Sequence, residues 1–513
     1  MKHMKRIFAL ALAVMMVMSL ALSVSAYTIT LTGTTDSPTA GHTYTVYQIF
    51  TGELTETKNQ LINVKYGANY TPDDTEVGDL VPVEDLKLIT NAQTFAEDLK
   101  NAGKLEGTFG ELNSGNSWTL SDVPSGYYLI VDSTPTLPAN HTRSLYMVQV
   151  VDDVNMAPKS GVVDVVKKVK DTNDSTGVTS DWQDSADYDI KDTIPYQITS
   201  HFNSIGEFTD YKVVFTDVMS KGLTYNNDAK ITMLYTVEGS AAQQTMDVTV
   251  AFEKGISAYT GPDAKYAGGN VYTFTCNDLK ALVTGNLTDA TIIIDYTCNL
   301  NEHAVVGADG NPNKVNLEYD REPNGEGTGK TPDDVNIVFT FKTDVNKVDE
   351  EKKPLAGAEF KLEKLVSGNW TTLALVKNDD GTVFSFTGLD DGEYRITETK
   401  APAGYNAIDA IYFTVTAEHE ILSDNPVLTG LSATVHKQDG SSYTEEEIKS
   451  GKVASFTVEM TDGNLKTDIV NKAGVVLPET GGMGTTIFYT LGGIMVLAAV
   501  VLLVTKKRMA SAE

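Results

Sequence analysis

Cysteine is nearly absent: Cys276 and Cys298 are the only two in 513 residues. A small scaffold held by disulfides is thereby excluded. A single pair within one secreted domain leaves two states open, a disulfide or two buried thiols. Positive charge is also scarce, with 40 Lys and Arg against 69 Asp and Glu and a formal charge of −29. Such a chain repels phosphate backbones, which excludes nucleic acid as a partner. Histidine numbers seven, and no two have the spacing of zinc ligands. Asp171-Thr-Asn173-Asp-Ser175 has the opening of a calcium loop but neither its Gly nor its terminal Glu. Gly325-Glu-Gly-Thr-Gly329-Lys330-Thr331 lacks the first glycine of a phosphate loop, Asn324 standing there. No metal and no cofactor is expected, and no cleft motif or catalytic constellation of an enzyme is present.

The two ends carry long apolar runs. Lys2, Lys5 and Arg6 precede an apolar stretch over 7–22, and Val24-Ser25-Ala26 supplies the small residues of a signal-peptidase site. Residues 1–26 read as a signal peptide, with the mature chain starting near Tyr27. Residues 485–505 are apolar and long enough to cross a bilayer, and Lys506, Lys507 and Arg508 follow as a cytoplasmic stop. Immediately upstream stands Leu477-Pro478-Glu479-Thr480-Gly481. This arrangement resembles the Leu-Pro-X-Thr-Gly cell-wall sorting signal of Gram-positive surface proteins. The resemblance implies that a sortase cysteine attacks the Thr480 carbonyl, releases Gly481 onward and passes the acyl group to an amine, with peptidoglycan as the final anchor. Processing of both ends removes six basic residues and one acidic residue, leaving −34 on residues 27–480. That surface is soluble and self-repelling.

Between the ends, strand signals dominate. The segments 44–50, 144–150, 291–296 and 411–415 are β-branched or aromatic and bounded by turn residues. Helices are expected only over 86–101 and 277–284. The pattern predicts an all-β chain of tandem immunoglobulin-like sandwiches. Breaks near 157–161 and 341–343 divide it into 27–158, 160–342 and 343–474, followed by the anchor over 475–513. An internal repeat lays Ser125–Asp132 on Asp391–Glu398 and Ala40–Tyr44 on Ala356–Phe360, so the first and third domains are expected to be versions of one module.

Side chains alternate faces along a strand, and this parity aims several polar groups at the core. In the third domain Lys347 shares a face with Val345, Glu398 with Tyr394 and Ile396, and Asn471 with Ile469. A buried lone Lys or Glu is costly unless paired or neutralised. One chemistry uses all three: a desolvated Lys becomes a neutral amine, a desolvated Glu holds a proton, and the amine attacks the Asn carboxamide to expel ammonia and leave an isopeptide bond. The third domain resembles the B-type repeat of collagen adhesins, through Lys347-Val-Asp, Leu355-Ala-Gly-Ala-Glu-Phe360, Tyr394-Arg-Ile-Thr-Glu398-Thr and the terminal Asn471. That family joins its first-strand Lys to its last-strand Asn under the Glu, which implies a Lys347–Asn471 bond with Glu398 catalytic.

In the middle domain Lys167 lies on the face of Val165 and Val169, Asp217 on that of Val213 and Phe215, and Asn313 on that of Val315, Leu317 and Tyr319. Lys168 is an alternative to Lys167, and Asn311 or Asn316 to Asn313. The segments 211–225 and 313–319 resemble the middle domain of Gram-positive backbone pilins, where a Lys, a late Asn and an intervening acid form the same bond. In the first domain Asp132 aligns with Glu398, but Leu31 takes the place of Lys347, so no bond is expected. Backbone pilins also carry an acceptor Lys in a Tyr-Pro-Lys-type motif between their first two domains. Here Pro158-Lys159 keeps the Pro-Lys and its place without the aromatic, making Lys159 the expected amine. The resemblance implies a structural subunit of a sortase-assembled pilus, with sortase, other pilin subunits, peptidoglycan and host matrix or glycans as partners. A wall-anchored monomeric adhesin, or a basal or tip subunit, shares every feature except a working Lys159.

Overall fold

The computed structural model describes residues 26–35, 37–57, 59–113, 115–158, 160–323, 327–373, 376–377, 381–450, 453–474 and 483–509. The signal segment, Lys159 and the pentapeptide 477–481 lie outside these described residues. The strands group into three successive β-sheet units, each with its own apolar interior.

In the first unit, Ala26–Thr32 runs between Ser117–Pro124, antiparallel, and Val154–Met156, parallel. The facing sheet has the order Leu61–Tyr66, Thr43–Leu54, Gly126–Asp132, Leu145–Val150, with Gly110–Asn113 also on Thr43–Leu54. Ile29, Leu31, Tyr44, Val46, Tyr128 and Ile130 meet between the sheets. The other face of the larger sheet is covered too: Phe50, Leu129 and Leu145 pack with Ala96 and Leu99 of the helix Ala92–Asn101. Burial on both faces explains the unbroken apolar run Tyr128-Leu-Ile-Val131. The helix expected over 86–101 is two helices, Val83–Leu88 and Ala92–Asn101. Asn91 interrupts it, its Oδ1 accepting from the Thr94 amide at 3.0 Å, the bond by which Asn starts a helix rather than continues one.

The middle unit stacks a seven-stranded sheet on a six-stranded one. Along Leu287–Leu300 every second residue from Ala290 to Leu300 is buried, the alternation of a strand with one face on a core. The helix expected over 277–284 is a single 3₁₀ turn, Lys280–Leu282. The Asp278 carboxylate binds the Lys280 amide and also the Tyr211 amide, and Gly285 at φ +100° ends the segment. Thr340 alone separates the last strand of this unit, Asp334–Phe339, from the first of the next, Phe341–Val348.

The third unit is a sandwich of two five-stranded sheets. Phe341–Val348 lies at the centre of one, antiparallel to Val383–Leu389 and parallel to Asn464–Val470, so its first and last strands are neighbours. Glu359–Val366, Gly392–Lys400 and Ile411–His419 form the middle of the other. The repeat read from the sequence has a structural counterpart in register: Tyr44 pairs with Asp132 as Phe360 pairs with Glu398. Leu31 pairs with Met156 on the parallel strand as Lys347 pairs with Ile469. The helix Met483–Met509 contains an apolar span, Phe488–Lys507.

Candidate cross-link sites

Three side chains in the third unit converge at one end of the parallel strand pair. Lys347, on Phe341–Val348, is fully buried, and its Nζ donates to the carbonyls of Val348 at 3.0 Å and Ile469 at 2.9 Å rather than to a carboxylate. Loss of hydration pushes its pKa down, against the opposing pull of Glu398. Asn471, just past the end of the last strand, is also fully buried. Its amide donates to both carboxylate oxygens of Glu398, at 2.8 and 3.0 Å. Glu398 Oε2 accepts in addition from the Ile408 amide at 3.0 Å, which fixes the carboxylate against the carboxamide. A desolvated amine, a positioned carboxamide and the carboxylate that holds it are thus gathered in a buried pocket.

The middle unit builds a second such set from different strands. Lys167, Asp217 and Asn313 are all fully buried. Lys167 Nζ lies 2.8 Å from Asp217 Oδ2 and 2.5 Å from the Tyr296 hydroxyl. That hydroxyl donates to the same Asp217 oxygen at 2.6 Å and accepts from Asn313 Nδ2 at 3.0 Å. Burial lowers the Lys167 pKa, with Asp217 opposing. The rings of Tyr196 and Tyr296 stack 5.4 Å apart and each lies 5.1 Å from the Lys167 nitrogen. Asn336 holds the backbone of the first strand, donating to the Lys167 carbonyl at 3.1 Å.

The alternatives are used elsewhere. Lys168 turns to Asp184 at 2.5 Å, Asn311 closes the 305–311 loop through the Val305 backbone, and Asn316 donates to Asp333 at 2.8 Å. The alternation had not drawn Tyr296 into the site, although Ile292, Ile294 and Tyr296 follow the parity that located Asp217. Cys276 and Cys298 are both buried free thiols, which resolves the open pairing. Their strands sit in opposite sheets, and Cys298 Sγ lies 3.5 Å from Met219 Sδ. In the first unit Leu31 is core, and Asp132, in the place of Glu398, is engaged by His42 at 2.7 Å and by the Thr134 amide at 3.0 Å. Among the described residues, no lysine amine enters that constellation.

Residues 341–425 match the family described as a prealbumin-like fold domain (SpaA), and residues 469–511 match the LPXTG cell wall anchor motif. The trypsin-resistant surface T6 protein of Streptococcus pyogenes serotype M6 is 27% identical over 402 residues, covering 69% of this chain and 70% of its own length. The solved structure of the T6 backbone pilin of that serotype, described as a modular three-domain structure, superposes with a TM-score of 0.51 at 18% identity, covering 88% of this chain and 99% of that one. The full-length major pilin SpaD of Corynebacterium diphtheriae gives a TM-score of 0.44 at 16% identity, over 88% of this chain and 97% of its own. The chain is therefore a cell-wall-anchored surface protein of the Gram-positive type, built of tandem β-sandwich units. It carries a prealbumin-like domain next to that anchor and is similar over about two thirds of its length to the T6 surface protein.

Proposed function

We propose that this chain is the backbone subunit of a covalent surface pilus, joined head to tail by sortase and stiffened by two internal isopeptide bonds. The observation that carries the reading is the pair of buried Lys, acid and Asn sets, one in each of the second and third units. In each, the Lys Nζ attacks the Asn carboxamide carbon, the acid moves a proton from the amine to the departing nitrogen, and ammonia leaves. Lys347 bonds to Asn471 with Glu398 as the proton carrier, and Lys167 to Asn313 with Asp217. Tyr296 is a positioning residue in the second set, bridging the acid and the carboxamide. The chemistry turns over once per bond, so the product is a structural protein. Sortase cleaves after Thr480 and transfers its carbonyl to Lys159 of another subunit, or to peptidoglycan for the last one. Adhesion to host matrix or glycans is carried by the assembled fibre.

The test is a denaturing immunoblot of wall digests from cells making this protein or its Lys159→Ala variant. A detergent-resistant ladder lost in the variant supports a polymer with that acceptor. A single band with both proteins overturns the pilus reading in favour of a monomeric wall adhesin, and a ladder with both moves the acceptor to another lysine.

A further inference from the structure

The joint between the middle and third units is crowded with buried or half-buried carboxylates. The middle unit contributes Asp171, Asp174, Asp184, Asp187, Asp189 and Asp192, and the third adds Asp390 and Asp391. Among the described residues, the cationic groups that ion-pair with them are Lys168, Lys364 and His419. Lys364 takes Asp174, Asp189 and Asp390, and Lys168 takes Asp184; of the four that remain, Asp171 and Asp187 face one imidazole. His419 Nε2 faces Asp187 Oδ1 at 3.3 Å and Asp171 Oδ2 at 3.5 Å. Its side chain is 6% exposed.

The tautomer follows from the neighbours. Ser185 has one hydroxyl proton, donated to the Glu420 carbonyl at 2.6 Å, so the 2.7 Å contact between Ser185 Oγ and His419 Nδ1 is a bond donated by the ring. Nε2 then faces two carboxylates, and a positive centre, either a proton on that nitrogen or a cation shared by all three groups, must lie between them. A proton would draw the atoms to charge-assisted hydrogen-bond distance, about 2.7–2.9 Å. Two other His–carboxylate pairs do so, the buried His42–Asp132 at 2.7 Å and the half-buried His436–Glu393 at 2.8 Å. The wider spacings at His419 fit the edge of a tetrahedron whose centre is about 2.0–2.1 Å from each ligand, an edge of about 3.3–3.4 Å.

The supporting shell is that of a metal ligand: Nδ1–H is held by Ser185, and Asp187 Oδ2 accepts from the Asp391 amide at 2.6 Å. A cleft of about 600 Å³, lined in part by Asp171, Asp391, Glu418 and His419, opens onto the group and leaves room for a water as fourth ligand. We propose that Asp171, Asp187 and His419 form a divalent transition-metal site of the zinc type, clamping the middle unit to the third. A 2+ ion brings a neutral imidazole and two carboxylates to zero net charge, where a single proton leaves −1. Short sequence motifs could not disclose the site, because its ligands are 16 and 232 positions apart. The site rests on the geometry of the joint and not on polymerisation.

Metal-free full chain is titrated with zinc chloride by calorimetry, beside His419→Ala and Asp171→Asn, the latter leaving the His419–Asp187 pair in place. The expected result is one equivalent of zinc bound by the wild type, weakened at least tenfold in both variants, with cobalt(II) giving the visible bands of a tetrahedral site only in the wild type. Zinc, and not calcium, raises the melting temperature of the wild type alone. Equal zinc binding by all three proteins, or none by the wild type, overturns the site and leaves an imidazolium ion pair.

Discussion

Replacing Glu398 by Ala keeps both bonding partners, Lys347 and Asn471, and removes only the carboxylate that touches the carboxamide at 2.8 and 3.0 Å. If the bond needs that group, the variant retains one ammonia, and its intact mass exceeds the substitution-corrected wild type by about 17 Da. The wild type itself lies about 34 Da below its sequence mass, one ammonia for each of two bonds. The stability effect follows from the loop. Lys347 and Asn471 are 124 positions apart, and the chain-entropy relation assigns a cross-link closing such a loop about 5 kcal/mol. For a domain of this size, about 3–4 °C of melting temperature accompanies each kcal/mol, so the third unit of the variant melts about 15–20 °C lower. Intact-protein mass spectrometry and scanning calorimetry read the two quantities independently, and Asn471→Ala should reproduce both with Glu398 intact. A wild-type mass equal to the sequence mass refutes the reasoning outright. A variant that stays about 34 Da lighter than its own sequence, rather than about 17 Da, shows that the bond forms without the carboxylate.

Tyr296→Phe removes the hydroxyl that links Asp217 to Asn313; the Lys167–Asn313 bond should form more slowly, with a population about 17 Da heavier in freshly made protein, while the third unit is unaffected. At the joint, burial, and then the neighbouring Asp189 and Asp174, push the Asp192 carboxyl up to about 7. A carboxyl raised on folding binds more protons in the folded state, so its contribution is favourable at low pH and is lost as pH climbs from about 4 through 7. Melting temperature should fall across that window, and Asp192→Asn should flatten the fall; an unchanged slope would discount the shift.

Much of this was legible because strand parity is a strong constraint. Lys347, Glu398, Asn471, Lys167, Asp217 and Asn313 each stand two residues from an apolar core position, and the period of two gave each only one face to occupy. The same parity applied to Phe360-Lys-Leu362-Glu-Lys364 would have flagged Lys364, which is fully buried beside Asp174 and Asp189 of the middle unit and Asp390 of its own. It passed unnoticed because the carboxylates that stabilise it come from a distant stretch of chain. Tyr296 was hidden for a different reason: an inward Tyr is ordinary core, and only its hydroxyl contacts distinguish it. The helix over 277–284 failed because Asp278 spends its carboxylate on backbone amides, the competition by which Asp favours turns over helices.

The proposed linkage also accounts for which unit lacks a bond. Tension entering at Lys159 and leaving at Thr480 passes through residues 160–480 only, so the first unit hangs beside the load path and needs no cross-link there. Along the path, the bonds Lys167–Asn313 and Lys347–Asn471 bypass most of the second and third units. The longest stretch left without a covalent bypass is the 33 residues between Asn313 and Lys347, which include the last strand of one unit, the first of the next and the joint between them. Under load this stretch is held by sheet pairing and by the Lys364 cluster, and fully drawn out it would lengthen by at most about 110 Å. Pulling a subunit between those two attachment points should therefore give no unfolding step longer than that. Lys364→Ala should lower the force of the step without changing its length. A longer extension would mean that one of the two bonds is absent, and an unchanged force would mean that the joint bears none of the load.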